Sequence, residues 1–408
     1  MMNNLKNIIL ILLYFFLMGC NSDVTMNENK LKVKAKELAK KFIIADGHID
    51  LPNLLREAGY LNKEHIPDIT QNTTGNFDFP KAKKGGLDAP FMSIYIPSEY
   101  QISGGSKELA DSLINLVIKI TKTFPKKFSL ANSPADVKEN FRQGLISLPM
   151  GMENGAPIGN DVENIEYFFN RGIRYITLTH GKNNKICDSS YDTEKTWNGL
   201  SPFGLLVVKK MNQVGIMIDI SHVTDESFFQ VLETSKTPVI ASHSSPRHFT
   251  PGFKRNMSDQ MIKELAKNNG VILINFGSSF VNQKSREKYE IIDEKIKDWS
   301  EKRKKISNEE ILNYTNKIIE EENPFADIED VIDAIDHIVN LVGINHVGFG
   351  SDYDGLGNSL PKKLKDVSTY PNIIFELLKR GYNEKEIEKV CYRNFFRVWN
   401  DVLKYRSN

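Results

Sequence analysis

The stretch GIMIDISHVTDESFFQVLETSKTPVIASHSS, residues 215–245, holds one full period of a repeating pattern. Gly215 stops a preceding helix. The run Ile216–Ile220 follows with no regular polar alternation, and His222 comes just after it. Helical spacing then occupies Glu226–Thr234, a second short run spans Val239–Ala241, and His243 comes just after that one. Short apolar runs without alternation suit strands buried on both faces of a parallel sheet. Strand, helix and strand in this order make a βαβ unit, with a histidine at the same place after each strand.

The same unit recurs in both directions. Further strand runs are Phe42–Ala45, Phe91–Ile96, Leu145–Met150, Tyr175–Leu178, Val271–Phe276 and Val347–Gly350. Helical periodicity separates them over Lys107–Thr121, Val162–Asn170, Phe203–Val214, Asp259–Asn268 and Ile328–Val342, and two more helices follow around Ile373–Arg380 and Glu384–Tyr405. Eight strands alternating with helices predict a single (β/α)8 TIM barrel of α/β class over residues 42–408. The connection between the seventh and eighth strands is oversized and rich in Glu and Lys, which predicts an α-helical insertion beside the barrel mouth. A length of 408 residues suggests two or three domains at first, but barrels grow past that size by insertion. Hydrophobic residues at 40% and charged residues at 26% exclude a multi-span membrane protein and a disordered chain. Lys+Arg 53 against Asp+Glu 52 argues against nucleic acid as a partner, and three cysteines are too few for a disulfide scaffold.

The N-terminus reads as a targeting segment. MMNNLK is followed by the apolar run Ile8–Met18 and then Gly19-Cys20. That run makes a signal-peptide core but is too short to span a bilayer permanently. LMGC (17–20) resembles a bacterial lipobox, so residues 1–19 are expected to be removed and Cys20 to be lipidated. An ordinary cleaved signal peptide is the alternative. Residues 20–41 then form a tether and lead-in, and the protein is expected outside the cytoplasm, anchored by acyl chains in the cell envelope on its periplasmic or surface side.

Potential ligands gather at one end of the barrel. His48, His180, His222 and His243 each fall at a strand's C-terminal end; Asp50 follows the first strand with His48, and Glu153 and Asp352 take the same relative place after the third and the eighth. All strand C-termini of such a barrel share one face, where active sites are built. His48 and Asp50, at i and i+2 of extended chain, point the same way. A set of imidazoles and carboxylates without thiolate suits Zn2+ or a neighbouring divalent metal. Glu153 can bridge two cations, with His222 and His243 completing a second ligand set. Two metals so bridged lie about 3.5–4 Å apart and hold a hydroxide between them, an arrangement for hydrolysis.

From Asp46 to Trp399 the chain resembles the membrane (renal) dipeptidase family of zinc hydrolases. The resemblance rests on DGHIDLP (46–52), KKGGLDAPFMSIYIP (83–97), GMENG (151–155), RYITLTHGKNNKICDSS (174–190), GLSPFGLLVVKKMNQVGIMIDISHV (199–223), PVIASHSS (238–245), RNMSDQMI (255–262) and HVGFGSDYDG (346–355). It implies two Zn2+, one on His48 and Asp50, the other on His222 and His243, with Glu153 between them. It also implies that His180 stabilises the oxyanion, that Asp352 shuttles the proton and holds the substrate's free amine, and that Arg255 grips its C-terminal carboxylate. The expected activity is hydrolysis of dipeptides recognised by both termini; a homodimer is left open.

Two other readings remain at this point: a related hydrolase acting on another amide, lactone or acylated D-amino acid, and a non-catalytic lipoprotein that binds metal or peptide. Arg255 separates the first from a dipeptidase, since a neutral substrate has no use for it. His65, His248, His337 and His346 are expected to be structural or exposed. Cys187 is expected as a small buried side chain, with a Cys187–Cys391 disulfide left open. CYRNFFRVW (391–399) departs from the family's glycine-rich turn, so the local geometry there is not implied.

Overall fold

The computed structural model describes residues 27–61, 63–303 and 306–406. Among them ten strands form: β1 (Ile44–Ile49), β2 (Leu87–Tyr95), β3 (Phe128–Leu130), β4 (Ile146–Leu148), β5 (Met150–Glu153), β6 (Ile173–Thr177), β7 (Met217–Asp219), β8 (Ile240–Ser244), β9 (Val271–Ile274) and β10 (Val347–Phe349). Eight of them close a barrel in the order β1-β2-β5-β6-β7-β8-β9-β10, with β10 returning to β1. Every pairing within it is parallel. This is the (β/α)8 architecture expected from the alternating pattern.

The third barrel strand departs from the expectation. Leu145–Met150 is the more apolar run, yet β4 within it pairs with β3 in a separate two-stranded ribbon, and the barrel strand is Met150–Glu153. Pro149 sits between the two. It has no N–H to give to a ladder, so the extended chain changes partners there, while its carbonyl still accepts from the Met92 N–H at 2.8 Å. The first strand, expected over Phe42–Ala45, instead runs on to Ile49 and carries His48.

The expected helices form at Ser106–Thr123, Glu163–Asn170, Pro202–Val214, Asp225–Thr234, Asp259–Lys267 and Ile328–Val342. Several start on a capping hydroxyl: Ser201, Thr224 and Ser258 each accept the N–H three residues on, which stabilises a helix start by about 1 kcal/mol. Short helices at Leu51–Glu57, Phe79–Gly85 and Pro134–Arg142 add to the pattern. The insertion forms the helices Gln283–Glu301 and Asn308–Glu322, which share a small core of Ile292, Ile318 and Ile319.

Two apolar layers hold the barrel. One lies between strands and outer helices. The other fills the interior, where Phe91, Tyr175, Met217 and Leu273 meet Phe395 and Trp399 of the C-terminal helix Asn394–Arg406. The Phe91 ring lies 4.8 Å from Phe395 and 5.1 Å from Trp399, so this helix plugs the end opposite the ligands. Large side chains buried this way contribute about 1.5–3 kcal/mol each. The CYRNFFRVW stretch resolves into a π-helical turn, Lys389–Arg393, running into that helix.

A helix over 27–41 begins within the stretch read as a tether and buries Ala35 and Leu38 against the body. The expected signal segment 1–19 and Cys20 lie outside the described residues. No helix among the described residues is long and apolar enough to cross a membrane. Cys187 and Cys391 are both buried and free.

Candidate metal centre

The strand ends deliver their side chains to one cup of about 540 Å3, lined among others by Asp50, Glu153, His180, His222, His243, Arg255 and Asp352. His48 lies beneath it, fully buried. Local backbone aims these groups. His222 (φ 69°) and Asp352 (φ 64°) both adopt the left-handed region, which is uncommon for residues other than glycine and is concentrated at functional sites. Gly355 leaves room for two of these groups: a Cβ there would stand 2.3 Å from Asp50 Oδ2 and 2.6 Å from Asp352 Oδ1, and both carboxylates would have to shift.

Glu153 is the centre of the cluster. Its Oε2 is 3.2 Å from His48 Nε2 and accepts from Ser93 Oγ at 3.2 Å. Its Oε1 faces the other way, 3.1 Å from His222 Nε2, 3.3 Å from His243 Nε2 and 3.6 Å from His180 Nε2. His48 Nε2 is also 3.5 Å from Asp50 Oδ2, and the Nε2 atoms of His222 and His243 are 2.8 Å apart. Donor atoms around a tetrahedral Zn2+ with bonds of about 2.0–2.2 Å stand about 3.4 Å from one another. The observed spacings scatter around that value, and the two oxygens of Glu153 face separate sets, as a bridging carboxylate requires. The donor set therefore fits divalent metal. The spatial groups are His48, Glu153 and His243; Glu153, His180 and His222; and His48, Asp50 and Asp352. All seven expected residues are thus brought together, with His180 and Asp352 as near to the donors as the five expected ligands.

Neighbours set the protonation states. Burial, aided by Arg255 and adjacent imidazoles, holds His222 and His243 well below the ordinary imidazole range, so both present lone pairs. Burial also lowers His180. Burial opposes ionisation of Glu153, but the imidazoles around it outweigh that and keep it a carboxylate. Burial resists charge on His48 as well, yet Tyr175, Glu153 and Asp50 raise it well above the usual range; that corner of the cup favours a positive charge. Burial pushes Asp352 up to about 7, with Asp50 and Glu153 adding to the rise.

Partners behind the cup orient it. His243 Nδ1 is 2.7 Å from Ser242 Oγ, which donates to the buried Asp219 at 2.6 Å. Asp352 Oδ2 accepts from Asn275 Nδ2 at 2.8 Å. Sequence reasoning missed Asn275, although it follows β9 at the same place as the histidines follow their strands; Tyr95, Tyr191 and Phe280, also on the cup wall, carried no such signal.

Arg255 is 4% exposed. Its Nη1 donates to Ser244 Oγ and its Nη2 to the His243 carbonyl, both at 2.7 Å. Its buried Nε has no partner. Among the described residues no carboxylate forms an ion pair with it. Of the remaining histidines, His346 bonds the Gly270 carbonyl near the start of β9, at the opposite end of the barrel, and His248 and His337 stack on each other away from the cup.

Comparison with known proteins agrees with this geometry. Residues 32–408 match the family described as membrane dipeptidase (peptidase family M19). The chain is 28% identical over 391 residues to dipeptidase tcpJ of Claviceps purpurea, covering 93% of this chain and 81% of that protein. It is 30% identical over 384 residues to an uncharacterized dipeptidase of Schizosaccharomyces pombe, covering 90% and 82%. Among solved structures, the probable dipeptidase PvdM from Pseudomonas aeruginosa superposes with a TM-score of 0.78 at 26% identity, over 92% of this chain and 99% of that one. A metallo peptidase from Rhodobacter sphaeroides liganded with a phosphinate mimic of L-Ala-D-Ala shares the fold, with a TM-score of 0.71 at 22% identity over 88% and 99%.

Proposed function

The chain belongs to the membrane dipeptidase family, peptidase family M19, and from that premise of a metal-dependent dipeptidase we propose that it cleaves free dipeptides held by both termini over a two-zinc centre. His48 and Asp50 would hold one Zn2+, His222 and His243 the other, and Glu153 both. Bound there, the pair would lower the pKa of water to near neutrality and polarise a carbonyl.

The chain's own residues supply the rest. Arg255 carries the reading of the substrate: a buried guanidinium with no carboxylate of its own is costly unless an anion arrives. The substrate's C-terminal carboxylate is that anion, and the planar fork suits it. Asp352, across the cup and steadied by Asn275, receives the free amine and carries a proton to the leaving nitrogen. A carboxyl at that place, in reach of the donors and held by Asn275, suits a group that gives and takes a proton. His180, on the rim, donates to the oxygen that gains charge, a contribution worth about 2.7–4 kcal/mol per donor in other enzymes. A neutral amide or lactone would leave Arg255 unpaired, which disfavours a related hydrolase acting on those substrates.

The location belongs to the same proposal: export, with Cys20 lipidated. Its support is the apolar run Ile8–Met18 followed by LMGC.

The test is a panel of one dipeptide, its N-acetyl form, its C-terminal amide and the tripeptide extended at either end. The free dipeptide should be cleaved far faster than the other four. Equal rates on the amide or the tripeptides would refute recognition by both ends.

A further inference from the structure

Away from the cup, three ligating side chains from separate elements meet. His248 lies in the 3-10 turn Arg247–Phe249, Asp259 in the first turn of the helix Asp259–Lys267, and His337 midway along the helix Ile328–Val342. One donor atom from each lies within 4.8 Å of the other two. His337 Nε2 is 2.8 Å from Asp259 Oδ1, and the His248 and His337 rings lie 4.4 Å apart at 19°. Dipeptide cleavage uses none of them.

We propose that His248, Asp259 and His337 form a further divalent transition-metal site, of the Zn2+ class, that ties the segment carrying Arg255 to the helix preceding β10. Two imidazoles and one carboxylate without a thiolate suit Zn2+ and its first-row neighbours. Donors around such an ion stand about 3.4 Å apart. Asp259 and His337 already meet at 2.8 Å, so only His248 has to close in, by about 1.4 Å at most from the limit above. It is exposed, with its ring set edge-on to Phe249 at 5.0 Å and 85°. It must also leave its stack, because parallel rings cannot both point a lone pair at one ion. The His337 ring stays in place, with Phe249 against it at 5.7 Å and 76°. Three protein donors would leave a fourth position for a water.

The placement gives the site a consequence. His248 and Asp259 bracket the segment that contains Arg255, and Arg247 just ahead is held by both oxygens of Asp225 at 2.6 and 2.8 Å. A metal at the far end would fix that segment at its second end and to Ile328–Val342 as well.

The test uses full-length protein stripped of metal and dialysed to equilibrium against buffered Zn2+, with metal counted per chain. His337→Ala and His248→Gln should each bind about one equivalent less than the unmodified protein. Both should keep kcat on a dipeptide, since neither residue touches the cup. With Co2+ in place of Zn2+, the unmodified protein should absorb more strongly in the visible than either variant, by the contribution of about one Co2+ per chain. Equal metal counts in all three proteins would overturn the site. Should His337→Ala fail to fold, the exposed His248→Gln decides alone: full metal retention there overturns the three-ligand assignment.

Discussion

The Tyr175 hydroxyl stands 2.8 Å from His48 Nδ1 while donating to the Gly47 carbonyl at 3.0 Å. With its one proton spent on Gly47, it is an acceptor toward the imidazole. A His48 proton is therefore held on Nδ1, and Nε2 is the atom that faces Glu153 and Asp50, where a metal would displace its proton. Gly151 makes this possible: a Cβ there would overlap the Tyr175 ring at 1.9 Å.

Tyr175→Phe should consequently weaken metal binding by about 10- to 100-fold, the usual effect of losing a partner behind a ligating histidine. Competition with a chromogenic chelator measures it. At saturating metal kcat should be nearly restored. Unchanged affinity would mean that the hydroxyl does not orient His48.

Arg255→Ala should raise KM for a free dipeptide by about 10- to 100-fold, as expected for losing charge-assisted hydrogen bonds of about 1.5–3 kcal/mol. Metal content should stay as in the unmodified protein. Steady-state kinetics with parallel metal counting checks both; loss of zinc would place Arg255 in the support of the centre instead.

Burial pushes the Asp88 carboxyl up to about 7, against 3.8 ordinarily. The folded chain thus keeps a proton that the unfolded chain releases between these values. The resulting stability is full below about pH 4 and is lost as pH rises to about 7, by up to about 4 kcal/mol. Asp88→Asn, neutral throughout and still able to accept from the Ile44 N–H, should therefore gain stability relative to the unmodified protein between pH 5 and pH 8. Urea unfolding at both values tests this; an equal difference at the two would contradict it.

Cys20→Ser, expressed from the full sequence in a bacterial host, should move the protein from the membrane fraction to the soluble exported fraction and remove its labelling by radioactive palmitate. A membrane-bound, labelled variant would show that the anchor lies elsewhere.

The barrel and its cup were legible because both follow from position along the chain. Parallel strands share an end, so His48, His180, His222 and His243 could be brought together without knowing any distance. Boundaries were less legible where one residue overrode the apolar pattern: Pro149 diverts Leu145–Leu148 into a side ribbon, and Glu153 reaches the cup from a shorter strand beginning at Met150. Supporting groups were the least legible. Tyr175 reads as one more buried aromatic, and only the pairing of β5 with β6 sets its ring over Gly151 and its hydroxyl beside His48. Likewise, nothing in the spacing of His248, Asp259 and His337 suggests that they meet, because the helix bearing His337 follows the insertion.

The central claim is that peptide cleavage depends on metal held by Glu153 and the residues around it. The rate of hydrolysis of one free dipeptide, measured before chelation, after it, and after Zn2+ is returned, tests this most directly. The rate should fall to background on chelation and recover with Zn2+ in the unmodified protein, and it should not recover in Glu153→Gln. A rate that survives complete removal of metal would contradict the account.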